Sequence, residues 1–189
     1  MDVILTQSFL TSLVSGALLA GMPLLFASLG ETISERAGVL NVGLEGMMLL
    51  GAYTGFVGAY KSGSAWVGIG TGLLGGLAVS AVMALLCVRL GMDQIVIGIA
   101  LTLSMEGFTS MIQRAQYGTT YPRLDRAGTL SIPLLDRIPI VGEGIFQQHP
   151  LVYIGFALVP ACAWLFRRST FGLTLRAAGD RPEAVDAAG

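Results

Sequence analysis

The sequence predicts an all-α, polytopic transmembrane helical bundle of about five spans, followed by a short polar helix near the C-terminus. Three observations carry that prediction. Only 12% of the 189 residues are charged and 53% are hydrophobic, whereas soluble domains carry about 25% charged residues. Mean hydropathy is +0.72. Asp, Glu, Lys and Arg are absent from residues 3–30, 62–88 and 144–166, runs of 28, 27 and 23 residues. Each run exceeds the ~20 residues that cross a ~30 Å hydrocarbon core as a helix. A disordered chain and a soluble globular enzyme are excluded. The net charge of −1 leaves no electrostatic footprint for nucleic acid.

The expected spans cover residues 8–29, 42–60, 65–88, 94–112 and 151–166. The first is uncharged throughout. After it, Thr32 and Glu35 form a Thr-x-x-Glu capping box that predicts the start of a second helix. Gly38 and Gly43 weaken that helix by about 1 kcal/mol each relative to Ala. Asn41 and Glu45 lie four apart, on one face if the stretch is helical. Glu45 is followed by 15 uncharged residues, and a carboxylate at membrane depth is costly unless paired or wet. Two explanations fit it: a polar element lining a pathway, or a surface carboxylate at a helix entrance.

Spans two and three carry glycines at four-residue spacing, Gly51 with Gly55 and Gly68 with Gly72 and Gly76. Small residues on one face let helix backbones approach closely in lipid. That serves either a sliding helix pair or ordinary tight packing. Between spans three and four, Arg89 suits a helix C-terminus, Gly91 a left-handed C-cap and Asp93 an N-cap. So short a link predicts an antiparallel hairpin. Span four holds Glu106, 13 residues beyond Asp93, or about 20 Å along the helix. It reads either as an intramembrane functional carboxylate or as the partner of Arg114.

Residues 113–149 form a polar connection with Arg114, Arg123, Asp125, Arg126, Asp136, Arg137, Glu143 and three prolines. It is expected to be partly ordered against the bundle. His149 precedes Pro150 at the entrance to span five and reads as interfacial. Tyr53, Tyr60, Trp66, Tyr153 and Trp164 lie near span ends, as in an aromatic belt. Cys87 and Cys162 sit in apolar runs and read as small packing residues.

Span five ends in Arg167-Arg168, a positive-inside signal for a cytoplasmic face. Asp180 as N-cap, Pro182 in the first turn and Glu183 at the capping-box position predict a short helix starting near Arg181. With 167–189 cytoplasmic, parity puts the N-terminus and 113–149 outside, and 31–41 and 89–93 inside. Lys and Arg then number six inside and five outside, a weak bias.

Two segments match a known family. Gly38-Val-Leu-Asn-Val-Gly-Leu-Glu-Gly-Met-Met-Leu-Leu-Gly-Ala52 resembles the signature of ABC-transporter permease subunits of the branched-chain amino acid, ribose and nucleoside group. Asn41 to Gly46 looks most like the nucleoside/simple-sugar branch. Gly172 to Gly189 is similar to that family's cytoplasmic coupling loop, here incomplete. Such permeases continue past that loop with further spans, so the chain is expected to be the N-terminal portion of a longer one.

The resemblance implies an ATP-binding cassette ATPase as a separate subunit, a second permease subunit and an external substrate-binding protein. No Gly-x-x-x-x-Gly-Lys-[Ser/Thr] loop occurs in these residues, so ATP is expected on the partner. The substrate pathway implied by spans two and four would use Asn41, Glu45, Gln94, Thr102 and Glu106. ATPase coupling would use Arg176, Gly179, Asp180, Arg181, Glu183 and Ala184. Nucleoside is favoured over simple sugar, and simple sugar over branched-chain amino acid. The site of action implied is the bacterial inner membrane.

No catalytic or metal-binding residue is expected. A single histidine excludes His-Glu-x-x-His, no Gly-x-Ser-x-Gly occurs, and no aspartate lies in a span. The alternative class is a secondary, ion-coupled transporter using Glu45 and Glu106.

Overall fold

The computed structural model describes residues 7–118, 122–124, 128–131 and 141–188. Asp125, Arg126, Asp136 and Arg137 of the polar connection, and Gly189 at the end of the coupling-loop match, lie outside them. The described chain is almost entirely helical and divides into two compact units, Ile33–Arg126 and Met1–Thr32 with Ala127–Gly189.

Helix α1 spans Gln7–Arg36, and its end corrects the sequence reading. Thr32 starts no helix. Its hydroxyl donates back to the Ser28 carbonyl at 2.7 Å, inside α1. The uncharged run propagates the helix through the capping-box motif, because an N-cap needs a break in the backbone before it and none is present. The break comes at Gly38, where φ is +85°. Val39 N–H donates to Ser34 O and Gly38 N–H to Glu35 O, both at 3.0 Å, a Schellman stop.

The unit Ile33–Arg126 is built on α2 (Leu44–Ser62), α3 (Ala65–Ala84) and α4 (Gln94–Tyr117). Gly63, at φ +67°, closes α2 by donating to Ala59 O and turns the chain directly into α3. Helices α2 and α3 pack antiparallel, backbone on backbone. A Cβ on Gly72 would stand 3.0 Å from Gly51 O, and one on Gly55 3.1 Å from Gly68 O. The pattern departs from the expected ladder at one rung. Gly76 has only Met47 O at 3.8 Å, whereas Gly75 is the tight position, against Thr54 and Leu50 O. Met47, Val79, Met83 and Cys87 form a small buried cluster flanked by Leu50, Ile97, Leu101 and Met105.

Helix α3 ends in a π-helical turn, Leu85–Arg89. The link that follows is as expected. Gly91 has φ +65°, and Asp93 accepts from Ile95 N and Val96 N, both at 2.9 Å, to cap α4.

In the other unit, β1 (Leu130–Ser131) pairs antiparallel with β2 (Gln147–Gln148), with α5 (Val141–Phe146) leading into β2. Gln148 is buried, and its Nε2 donates to Ser15 Oγ at 2.9 Å and Gly144 O at 2.6 Å. Helix α6 is Pro150–Arg168. His149 caps it, Nδ1 accepting from Leu151 N at 3.3 Å. Gly155 of α6 faces Met22 and Phe26 of α1. Helices α7 (Thr170–Asp180) and α8 (Pro182–Ala188) complete the unit.

Among the described residues, four helical stretches are long and apolar enough to cross a membrane: Gln7–Arg36, Ala65–Arg89, Gln94–Tyr117 and Pro150–Arg168. Helix α2 forms where the second span was expected, but Glu45, Lys61 and its glycines and tyrosines dilute its hydropathy. Leu73, Leu74 and Leu77 on α3 are 62–66% exposed. Such surfaces suit lipid, which is as apolar as leucine and drives no burial of it.

Candidate functional site

The polar candidates of the unit Ile33–Arg126 gather where α4 crosses the entry to α2. The backbones nearly touch there. A Cβ on Gly43 would lie 3.4 Å from Gly98 Cα, and one on Gly46 2.9 Å from Thr102 Cα. Around this crossing, Leu40 N–H donates to Gln94 Oε1 at 2.7 Å, and Asn41 Nδ2 donates to Met47 Sδ at 3.4 Å. The Gln94 bond fastens the segment between α1 and α2 to the first turn of α4. The segment needs that fastening because Gly43, at the N-cap of α2, has no side chain to do it.

Thr102 behaves unlike its neighbours. Thr54, Ser104 and Thr109 each donate to the carbonyl four residues back, the usual outlet for such hydroxyls in a helix. Thr102 Oγ1 is buried with no hydrogen-bond partner among the described residues. It sits where α2 presses closest, beside Gly46.

Asn41, Gln94 and Thr102 therefore lie along the same α2–α4 crossing, Gln94 and Thr102 two turns of α4 apart. The two carboxylates stand apart from it in character. Glu45 is exposed in the first turn of α2, where a negative charge suits the helix dipole. Glu106 is exposed on α4, one turn past Thr102. Pairing of Glu106 with Arg114 does not fit: eight residues along one helix separate them by about 12 Å. Among the described residues, no group of three His, Cys, Asp or Glu side chains could hold a metal.

The C-terminal candidates lie on α7 and α8. Asp180 does not cap α8, because it is the last residue of α7. The short helix begins at Pro182, and Arg181 occupies the joint, its carbonyl accepting from Ala184 N at 3.1 Å and Val185 N at 3.3 Å. The cause is α7 itself, which the sequence reading missed: helix runs unbroken into Asp180 and removes the extended backbone an N-cap requires. The available signal was Ser169 ahead of Phe171 and Leu175, an N-cap followed by an i, i+4 apolar pair. Arg181, Glu183 and Ala184, with Pro182, rim a shallow recess at the joint. Gly179 lies in the last turn of α7, and Arg176 donates from Nε to Gly172 O at 3.2 Å.

Residues 13–189 match the family model described as branched-chain amino acid transport system / permease component. The chain belongs to this permease family. It is a multi-pass protein of the inner membrane. Among its relatives, the "Putative glucose ABC transporter permease protein TsgC13" of Haloferax volcanii is 38% identical over 97% of this chain and 56% of its own length. The nucleoside ABC transporter permease protein NupC of Lactococcus lactis is 34% identical over 94% of this chain and 58% of its own. The guanosine ABC transporter permease protein NupQ of Bacillus subtilis is 30% identical over 100% of this chain and 61% of its own. The permease chain thus spans rather more than half the length of these relatives. No solved structure matches it.

Proposed function

We propose that this chain belongs to the permease subunit of an ATP-driven importer that moves a nucleoside or simple sugar inward. The observation that carries this reading is the family match across 13–189, with relatives named for glucose, nucleosides and guanosine. In this reading the energy source is a separate ATPase subunit. A second permease subunit completes the pathway, and an external binding protein delivers the substrate.

The α2–α4 crossing is the proposed pathway element. Asn41, Gln94 and Thr102 supply polar groups suited to hydroxyl-bearing substrates, with Glu45 and Glu106 on the exposed faces. The unused Thr102 hydroxyl supports this, because a polar atom buried without a partner is costly to keep. Helices α7 and α8 are the proposed ATPase contact, through Arg176, Gly179, Asp180, Arg181, Glu183 and Ala184. ATPase closure would displace this arm and bias the spans between two states, as coupling between sites requires.

The test is to tag the gene's full-length product, express it among its native neighbours, extract it in mild detergent and identify what co-purifies. The expected partner carries a Gly-x-x-x-x-Gly-Lys-[Ser/Thr] loop and is lost when Asp180, Arg181 and Glu183 are all replaced by Ala. Recovery of the full-length chain alone, with uptake driven by an ion gradient, would instead favour the secondary transporter.

A further inference from the structure

The junction of α6 and α7 is one residue long, and one side chain bonds to both helices. Ser169 has extended backbone, φ −104° and ψ 150°. Its hydroxyl donates to Leu165 O at 2.6 Å and accepts from Gly172 N at 3.0 Å. A single side chain thus ends one helix and starts the next. Gly172 is buried against the last turn of α6. A Cβ there would overlap Leu165 O and come 2.7 Å from Phe166 Cα. Those neighbours are backbone, so no flexible side chain can yield. Within α7, Arg176 donates from Nε to Gly172 O, which braces the helix itself at that turn. The far end of α7 is made differently. At Arg181 the connection to α8 rests on backbone hydrogen bonds, Arg181 N–H to Ala177 O and Ala184 and Val185 N–H to Arg181 O.

We propose that Ser169 and Gly172 are positioning residues that lock α7 to the end of α6, so that the two helices move as one bent lever and bending is confined to Arg181. The inference rests on the reading of α7 and α8 as the ATPase contact. A lever explains why a contact made on α7 and α8 would reach a membrane span at all. A loose junction would absorb the displacement, whereas a backbone-to-backbone seat with a shared hydroxyl passes it on.

The experiment uses the full-length chain with its co-purified ATPase in lipid nanodiscs. The native cysteines are replaced, and spin labels are placed at Ile154 on α6 and Leu173 on α7, both exposed positions. Pulsed dipolar spectroscopy then reads the distance between them. The expected result is one narrow distribution, the same without nucleotide and with ATP plus vanadate. Ser169→Ala should broaden it, and Ser169→Thr, which keeps the hydroxyl, should restore it. General loss of fold would not be rescued by a β-branched threonine. A wild-type distance that shifts with ATP while the ATPase is bound overturns the lock alone. So does a Ser169→Ala distribution as narrow as wild type. If the full-length chain brings down no ATPase, the importer reading fails, and the lever falls with that premise rather than on its own geometry.

Discussion

Helix α2 makes two glycine-mediated contacts, and they differ in kind. Toward α3 the contact is a rail. Gly51 and Gly55 meet Gly68 and Gly72, and Gly75 meets Leu50 and Thr54. Across it, Thr71 Oγ1 donates to the Thr54 carbonyl at 3.0 Å. Toward α4 the contact is a single crossing, Gly43 and Gly46 on Gly98 and Thr102, and polar side chains collect around it. A rail of small residues distributes van der Waals contact along two helices. A crossing concentrates contact at one point, where the unsatisfied N–H groups of a helix entry also need partners. The polar candidates therefore cluster at the crossing and are sparse along the rail.

Substitutions sharpen this contrast, and all can be read as apparent melting temperature of the purified protein in detergent. The largest effect is expected from Gly98→Val. Even a methyl at Gly98 would stand 2.7–2.9 Å from Val42 Cβ, Gly43 N and Val42 C, so overpacking should cost about 3 kcal/mol. An unchanged melting temperature would mean that α4 does not press on α2 as described. Gln94→Leu follows, because it strands the Leu40 N–H that now donates at 2.7 Å. Leaving a donor unsatisfied costs about 2 kcal/mol, and Gln94→Glu, which retains an acceptor, should recover much of it.

Gly72→Ala tests the rail more gently. Its methyl would sit 3.0 Å from Gly51 O, for a net loss of about 1 kcal/mol after the gain in helix propensity. Gly76→Ala should bring no loss, since its Cβ has only ordinary contact at 3.8 Å, and can gain up to about 1 kcal/mol from helix propensity. If Gly72→Ala and Gly76→Ala behave alike, the rail is not specific to the positions that touch.

How much of this was legible beforehand depends on whether the signal was local. Asp93 as a cap, Gly91 as a left-handed stop and His149 at a span entrance were all read correctly. Each depends on a few adjacent residues and on backbone groups that must be satisfied at a helix end. Thr32 with Glu35 was misread because the same motif is silent inside a helix that started 25 residues earlier, at Gln7. Asp180 was misread for the matching reason, since α7 already occupied it. Gly98 carried no pattern of its own. Its importance comes from Val42 and Gly43, more than fifty residues away in sequence. The same separation hid the bond between Gln94 and Leu40.

The sequence by itself determined that this is a polytopic helical membrane protein, where its apolar helices lie and which permease family it belongs to. Charge-free runs, end caps and family motifs are written in consecutive residues, and the bilayer imposes a length and an apolarity that composition alone can reveal. Only the tertiary structure decided which glycines touch, that Leu40 meets Gln94 and Gly46 meets Thr102 along one crossing, and that α6 and α7 share a single hydroxyl at their junction. Those facts depend on distances between backbones brought together by packing, and no local pattern of residue types encodes such a distance.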